Sequence, residues 1–293
     1  MIDPLKKITI VLISYNSSEK LKKFITNIPR KTPIYIIDNS RDKKLKKIFK
    51  KNKNVNVFLK KNNGYGSSIN FASEKIKTPY FLVVQPDVSG IKISSLLNFY
   101  KYAKKMKDNF SVIGPHYLNV SKKGHYQTNI KYKIKEIHNV HGSTMFFSRK
   151  IFHINKGFDE NIFLYWEETD YSKRCKKNGY KAYQLNIVKV KHEKGKAVKT
   201  YNLKDKEKLE NLYTWHFIWS KYYYFDKHYG RLLSLIYFIP TLARILFRMF
   251  IYKFLKNNKF TKYYCRWDGL KNSILKKKSS MRLEKIPVNL FTK

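Results

Sequence analysis

The sequence predicts an α/β fold built on a mostly parallel sheet, with a helical segment appended at its C-terminal side. Three observations predict it. Short β-branched apolar runs alternate with stretches of helical spacing through the first 90 or so residues. Each of those runs ends in a polar loop, and from Leu203 onward the pattern changes to long aromatic and apolar helices.

The elements follow in order. Residues 8–13 (ITIVLI) have the composition of a strand buried on both faces. Residues 14–18 offer N-cap side chains, and Leu21, Phe24, Ile25 and Ile28 then recur at helical spacing until Pro29 and Pro33 stop the helix. A second strand is predicted over 34–37, closing on Asp38-Asn39-Ser40, then a short basic helix over 43–50 and a third strand over 55–59. The Gly-bearing loop 62–68 leads into a helix through Ile69, Phe71, Ala72 and Ile76, and a fourth strand, 80–84, closes on Gln85-Pro86-Asp87. Four βα units in a row put polar loops at the carboxyl ends of parallel strands, where open α/β sheets bind their ligands. Beyond them come a helix over 93–106, a strand within 111–120, a polar insertion over 122–135 and a strand over 144–147. A loop from 163 then passes into a helix that ends at Gly179.

Composition narrows the class. Apolar residues make up 43% of the 293, enough to bury a sizeable core, so global disorder is excluded. Two cysteines exclude a disulfide scaffold and a zinc-finger framework and fit a reducing compartment. The first residues carry charge and Pro4, which reads as no signal peptide. The net charge of +42 suits nucleic acid, an anionic membrane or a phosphate-bearing substrate. Of the 62 basic residues only nine are Arg, the residue that reads bases and phosphates bidentately, so the charge alone does not make a nucleic-acid reader.

Residues 1–203 read as the catalytic-type domain and 204–293 as a helical, basic and apolar region. Residues 232–243 are the longest charge-free apolar run, too short to span a bilayer, interrupted by Pro240 and followed by Arg244 and Arg248. An interfacial helix on an anionic surface is the expectation, with a helical hairpin packed on the main domain as the alternative.

Taken singly the chemical motifs are ordinary. Asp38 at a strand end can serve as a turn residue. The glycines of Asn62-Asn63-Gly64-Tyr65-Gly66 would let backbone N–H groups approach a phosphate ahead of a helix, yet no Walker or dinucleotide spacing follows. Asp87, after a buried strand and a proline, stands where a carboxylate can hold a divalent cation. Asp159-Glu160 and Glu167-Glu168-Thr169-Asp170 concentrate acids in an acid-poor chain beside Phe163, Tyr165 and Trp166. A carboxylate in such a wall can act as a general base, and helix-dipole complementarity explains one or two of these acids but less readily four. His192 near Asp87 would complete a metal site.

The order of the motifs is more specific than any one of them. Residues 11–21 (VLISYNSSEKL), 36–40 (IIDNS), 62–70 (NNGYGSSIN), 83–87 (VVQPD), 142–147 (GSTMFF) and 157–180 (GFDENIFLYWEETDYSKRCKKNGY) span about the first 200 residues. In that order the chain resembles the family 2 glycosyltransferases, inverting enzymes of GT-A fold, and most of all their bacterial rhamnosyltransferase-type branch. The resemblance implies that Ser14, Tyr15 and Asn16 line the nucleotide and that Asp38 contacts its base or ribose. Asn63, Gly64, Tyr65 and Asn70 would border the nucleotide and diphosphate. Asp87 takes the place of the last acid in the metal-binding signature, and Gln85 replaces that signature's usual first residue. One carboxylate, with His192, would then hold Mn²⁺ or Mg²⁺. Glu168 takes the general-base position, where Asp is commoner, with Glu167 and Asp170 as rivals. Gly142, Ser143 and Trp166 would face the acceptor. The implied activity moves a sugar from a UDP- or dTDP-sugar to a hydroxyl of a cell-surface glycan or lipid-linked acceptor, at the inner face of the cell membrane. The alternatives are a non-catalytic protein of the same fold, a nucleic-acid-binding protein, or a nucleotidyltransferase that makes the sugar nucleotide.

Overall fold

The computed structural model describes residues 3–119, 131–193, 197–198, 200, 202–288 and 290. The chain divides into two compact units, Met1–Glu160 with Glu167–Lys199, and Asn161–Trp166 with Thr200–Lys293.

The first unit is a 9-stranded sheet flanked by helices. Its elements are β1 (Ile8–Ser14), α1 (Ser18–Ile25), β2 (Ile34–Asp38), α2 (Lys44–Ile48), β3 (Val55–Leu59), α3 (Tyr65–Lys75), β4 (Tyr80–Val84) and β5 (Val88–Ser89). They continue with α4 (Ile93–Lys105), β6 (Val112–Tyr117), β7 (Ile134–Ile137), β8 (Thr144–Ser148), α5 (Arg149–Ile154), α6 (Glu167–Lys177) and β9 (Ala182–His192). The strand order is β3-β2-β1-β4-β8-β6-β9-β5, with β7 also on β9. β3, β2, β1 and β4 run parallel, as their βα connections require. Past β4 the sheet is mixed, since β8 is antiparallel to both β4 and β6 whereas β6 and β9 are parallel.

Burial follows the pattern of the sequence. Every residue of β1 is buried, whereas β3 at the sheet edge is only partly so. Leu21, Phe24 and Ile25 form the buried stripe of α1 on the core that holds Ile10, Leu12, Ile36 and Leu82. Each such side chain is worth about 1.5–3 kcal/mol of burial. Two boundaries differ from the sequence expectation. The helix α3 begins at Tyr65, inside the expected loop, because Gly64 (φ 113°, ψ 167°) makes the turn that a side chain would strain. β7 lies at the end of the expected polar insertion, whose part over 120–130 falls outside the described residues. β9, with alternating exposure along its second half, pairs with three other strands.

The second unit is built from α7 (Leu203–Tyr229), α8 (Arg231–Phe254) and α9 (Lys259–Ile274). Ile218 and Tyr222 of α7, Phe238 and Ile245 of α8 and Leu270 of α9 form one core cluster. Trp215 and Trp219 join Cys265 and Ile286 in another. The apolar run lies within a longer helix that packs on its neighbours. The helix continues through Pro240, Arg244 and Arg248 to 24 residues, long and apolar enough to cross a membrane by length and composition alone, with a mean hydropathy of 1.6 over an 18-residue stretch. Within the same unit Phe163 stacks on the buried His216, and the Ser220 hydroxyl donates to the Leu164 carbonyl (2.9 Å).

Candidate functional site

The carboxyl ends of β1 and β2 lie side by side, with Ser14 opposite Asp38 in register. Both residues are buried, and the Ser14 hydroxyl has no hydrogen-bond partner among the described residues. Asp38 organises its own turn: the Ser40 hydroxyl lies 2.9 Å from each of its carboxylate oxygens, and the Asp42 N–H donates to Oδ2 (2.7 Å). Tyr15 is half-buried and Asn16, at φ 51°, is exposed beside them. The Ser68 hydroxyl of α3 donates to Asn39 Oδ1 (2.9 Å), which ties the first turn of α3 to the end of β2.

The same first turn reaches the loop before β8. The buried Tyr65 hydroxyl donates to the Gly142 carbonyl (2.7 Å), and the Gln85 N–H after β4 donates to the Ser143 carbonyl (2.8 Å). Ser143 is buried and its hydroxyl pairs with that of Tyr117 (2.8 Å). Gly142 in turn faces Glu168. A Cβ built on Gly142 would sit 3.7 Å from the Glu168 carboxyl carbon, so that carboxyl lies across the open side of the glycine.

Glu167 and Glu168 are the first two residues of α6. The two residues before them, Tyr165 (φ 66°) and Trp166 (φ 72°), are both left-handed, a conformation costing about 1–3 kcal/mol each that concentrates at functional turns. Burial raises both carboxyls, which the positive end of the helix dipole only partly offsets. Glu168, half-buried, is pushed up to about 7. Glu167 is buried, with one carboxylate oxygen lacking a partner, and is raised well above the carboxylate range by burial and then by the charge of Glu168. Tyr65 is raised by burial and by Glu167.

On the other side of the Gly142 loop, the His141 and His192 rings meet edge to face with centroids 5.0 Å apart. His192 Nε2 lies 3.3 Å from Asp87 Oδ1, within ion-pair distance but out of line for a hydrogen bond. Among the described residues, both Asp87 oxygens and His192 Nδ1 are therefore buried without a hydrogen-bond partner, an arrangement a cation would satisfy. No cluster of three or more His, Cys, Asp or Glu side chains suited to a metal occurs among the described residues. A divalent ion here would take one carboxylate and one imidazole from the protein and its remaining ligands from water or phosphate, as Mg²⁺ and Mn²⁺ accept. The two residues fit that role. Asp87 also lines a cleft of about 500 Å³ with Lys20, Lys23, Phe24 and Glu193, and it alone of the anticipated site residues does so.

Other anticipated residues are engaged elsewhere. Asn70 holds the turn after α5: its amide donates to the Phe158 carbonyl and to Glu160, and its Oδ1 accepts from the Phe158 N–H (2.9 Å each for the two Phe158 bonds). Asp170 is fully buried in an ion pair with Arg174 (2.8 Å), whose other nitrogens donate to the Asn155 and Gly157 carbonyls. Asn63 is exposed, and the side chain of Trp166 packs on Tyr224 in the second unit. His141 carried no role in the sequence reading. Its place directly before Gly142-Ser143 was the one signal available.

Glycosyl transferase family 2 matches residues 9–163, more than half of the chain. The low-salt glycan biosynthesis hexosyltransferase Agl10 of Haloferax volcanii is 22% identical over 212 residues, covering 64% of this chain and 67% of that protein. Among solved structures, S. aureus TarS residues 1–349 in complex with UDP-GlcNAc superposes with a TM-score of 0.54 at 14% identity, over 92% of this chain and 81% of that one. GalNAc-T7 with UDP, GalNAc and Mn²⁺ gives 0.55 at 12% identity over 75% of this chain, which spans about half (47%) of that larger protein. The solved structures establish the fold, a GT-A α/β architecture. The family match establishes more: this chain belongs to glycosyl transferase family 2 and is a glycosyltransferase.

Proposed function

We propose that the protein transfers a sugar, with inversion, from a UDP- or dTDP-sugar to a hydroxyl of a growing cell-surface glycan or lipid-linked acceptor. The observation that carries this reading is Glu168, whose carboxyl lies against the bare Gly142 with its proton affinity raised to about 7, beside a polar chain leading to Asp87. An alcohol is a poor nucleophile at neutral pH, and a carboxylate that titrates near 7 is matched to taking its proton. Glu168 would accept the acceptor hydroxyl proton as that oxygen bonds to the anomeric carbon and the bond to the leaving nucleoside diphosphate breaks. A single displacement of this kind inverts the anomeric centre. Glu167, held uncharged by burial, would leave Glu168 as the ionised member of the pair. Ser14 and Asp38 would border the base and ribose, with Tyr15, Asn16, Asn63 and Gly64 around the nucleotide. Gly142, Ser143 and Trp166 would flank the acceptor. Asn70 and Asp170 would support these residues from behind.

A divalent cation held by Asp87 and His192 would neutralise charge developing on the diphosphate. The bound UDP, GalNAc and Mn²⁺ of GalNAc-T7 and the UDP-GlcNAc of TarS support a nucleotide-sugar donor and a metal. A rhamnosyl donor is the finer reading of the motif order. The C-terminal helical unit, about residues 204–293, would keep the enzyme at the inner face of the cell membrane, where lipid-linked acceptors lie. Thermal shift against UDP-, dTDP- and GDP-sugars, each with and without Mn²⁺ or Mg²⁺, tests the reading. A metal-dependent shift selective for one nucleotide supports it, and no shift with any sugar nucleotide refutes it.

A further inference from the structure

We infer that α8 is a membrane-seated, in-plane helix whose solvent-facing stripe enters the headgroup region of an anionic bilayer. The inference deepens the membrane-face part of the proposed function and rests on it. Within its own unit α8 has two apolar faces. One face packs through Ser234, Phe238 and Ile245, with Leu242 and Met249 beside them, on the core shared with α7 and α9. The other carries Leu232, Ile236, Ile239, Phe247, Phe250 and Phe254, which are 55 to 82% exposed. Their spacing of three, four and eight residues sets them on one stripe along the helix, about 36 Å long at 1.5 Å per residue. An exposed apolar surface of this length marks an interaction site.

Charge selects the occupant. Between residues 227 and 267 the chain has nine Lys and Arg and no Asp or Glu. A second copy of the chain would bring the same nine positive charges against themselves, whereas an anionic leaflet attracts them at about 1 kcal/mol per residue near the surface. Packing selects the orientation. The Arg248 guanidinium donates to the Tyr263 hydroxyl of α9 and lies 5.4 Å over its ring, so this charge is turned to the helical unit. α8 packs on α7 and α9 from Ser234 to Met249, and α9 carries Lys259, Lys262, Arg266, Asp268 and Lys271. A spanning α8 would have to shed both helices or drag those charges into hydrocarbon. Lying flat keeps the packing and buries only the free stripe, by about 5–10 Å.

Flotation of the full chain tests this with vesicles of phosphatidylcholine alone and of phosphatidylcholine with phosphatidylglycerol. The expected result is binding to the anionic vesicles only, weakened by salt, and full release by alkaline carbonate. The variant Ile236→Glu/Phe247→Glu/Phe250→Glu should lose at least about tenfold in vesicle affinity with an unchanged thermal melt. Should it fold poorly, Leu232→Glu/Phe254→Glu probes the two exposed ends of the stripe in the same way. Equal binding by a folded variant, retention after carbonate, or a lipid-free dimer that the variant converts to monomer would each overturn the inference. Sugar-nucleotide binding is read separately. Lost lipid binding with an intact nucleotide response counts against α8 alone, and the reverse counts against the enzymatic reading alone.

Discussion

Glu168→Gln should make the protein inactive and, above neutral pH, more stable. The substitution keeps the shape of the side chain and removes its ability to take a proton. Burial raises the Glu168 carboxyl from 4.5 to about 7, so between those values the folded chain binds more protons than the unfolded one. Stability then falls as pH rises: the contribution is fully present below 4.5 and lost once pH passes about 7. The full rise corresponds to about 3 kcal/mol, reduced to about 1–3 kcal/mol because solvent still reaches part of this half-buried side chain. Glutamine does not titrate, so the variant escapes that loss, and Glu167 ionises more easily once its charged neighbour is gone. Urea melts of both proteins from pH 4.5 to 8 should therefore diverge, with the variant the more stable at the upper end. Transfer should drop about 10²–10⁴-fold, and the acidic limb near 7 in the parent's pH–rate profile should vanish. Parallel stability curves, or a variant that keeps both turnover and that limb, would refute the assignment of the base.

Asp87→Asn should abolish the metal-dependent part of nucleotide binding while leaving the melt unchanged or raised, because neither Asp87 oxygen makes a hydrogen bond that would be lost. Titration calorimetry of UDP with and without Mn²⁺ checks this, and an unchanged metal dependence would move the ion elsewhere. Arg174→Ala strands a fully buried Asp170 charge and should destabilise by about 3–5 kcal/mol, whereas Asp170→Asn should keep most turnover. Turnover lost in a stable Asp170→Asn protein would make Asp170 the base. Gly66→Ala would set a Cβ 2.9 Å from the Phe158 Cβ and should cost about 1–3 kcal/mol of unfolding free energy by denaturant melt, since both atoms belong to stiff parts of the chain.

The parallel half of the sheet was legible because its signals are local. Apolar runs such as ITIVLI, the prolines after α1 and the turn around Asp38 each speak for themselves, and all four predicted strands up to Val84 are present. The antiparallel half was less so. β8 lies between β4 and β6, which are distant from it in sequence, and nothing in TMFFS says which neighbours it takes or in which direction. β7, with only Ile134 and Ile137 as apolar anchors, is held by its pairing with β9 and not by its own composition. In the C-terminal unit the length of α8 was legible from residues 232–255, because Arg244 and Arg248 break an apolar run without breaking a helix.

The acidic cluster shows where sequence reading stops at the site itself. Glu160, Glu167, Glu168 and Asp170 look equivalent in an acid-poor chain, yet each meets a different fate. Glu160 accepts from Ser67 (3.0 Å) and Asn70 (3.0 Å), and Asp170 is paired with Arg174, so both make contacts within the fold. Glu167 and Glu168 have no cation of that kind and instead meet an aromatic, desolvated turn and a bare glycine. The difference between a structural acid and a candidate base is thus the partner each one lacks, and partners come from chain segments up to 93 residues away. The same logic separates Asp38, whose carboxylate is occupied by its own turn, from Asp87, whose two oxygens are buried without a hydrogen bond among the described residues and have only the His192 imidazole at ion-pair distance. Burying a carboxylate with no hydrogen bond to it costs free energy, and at Asp87 the His192 imidazole at 3.3 Å offsets part of that cost only when it is protonated. A buried carboxylate with only an imidazole near it among the described residues is a physical argument that Asp87 is kept open for a charge arriving from outside.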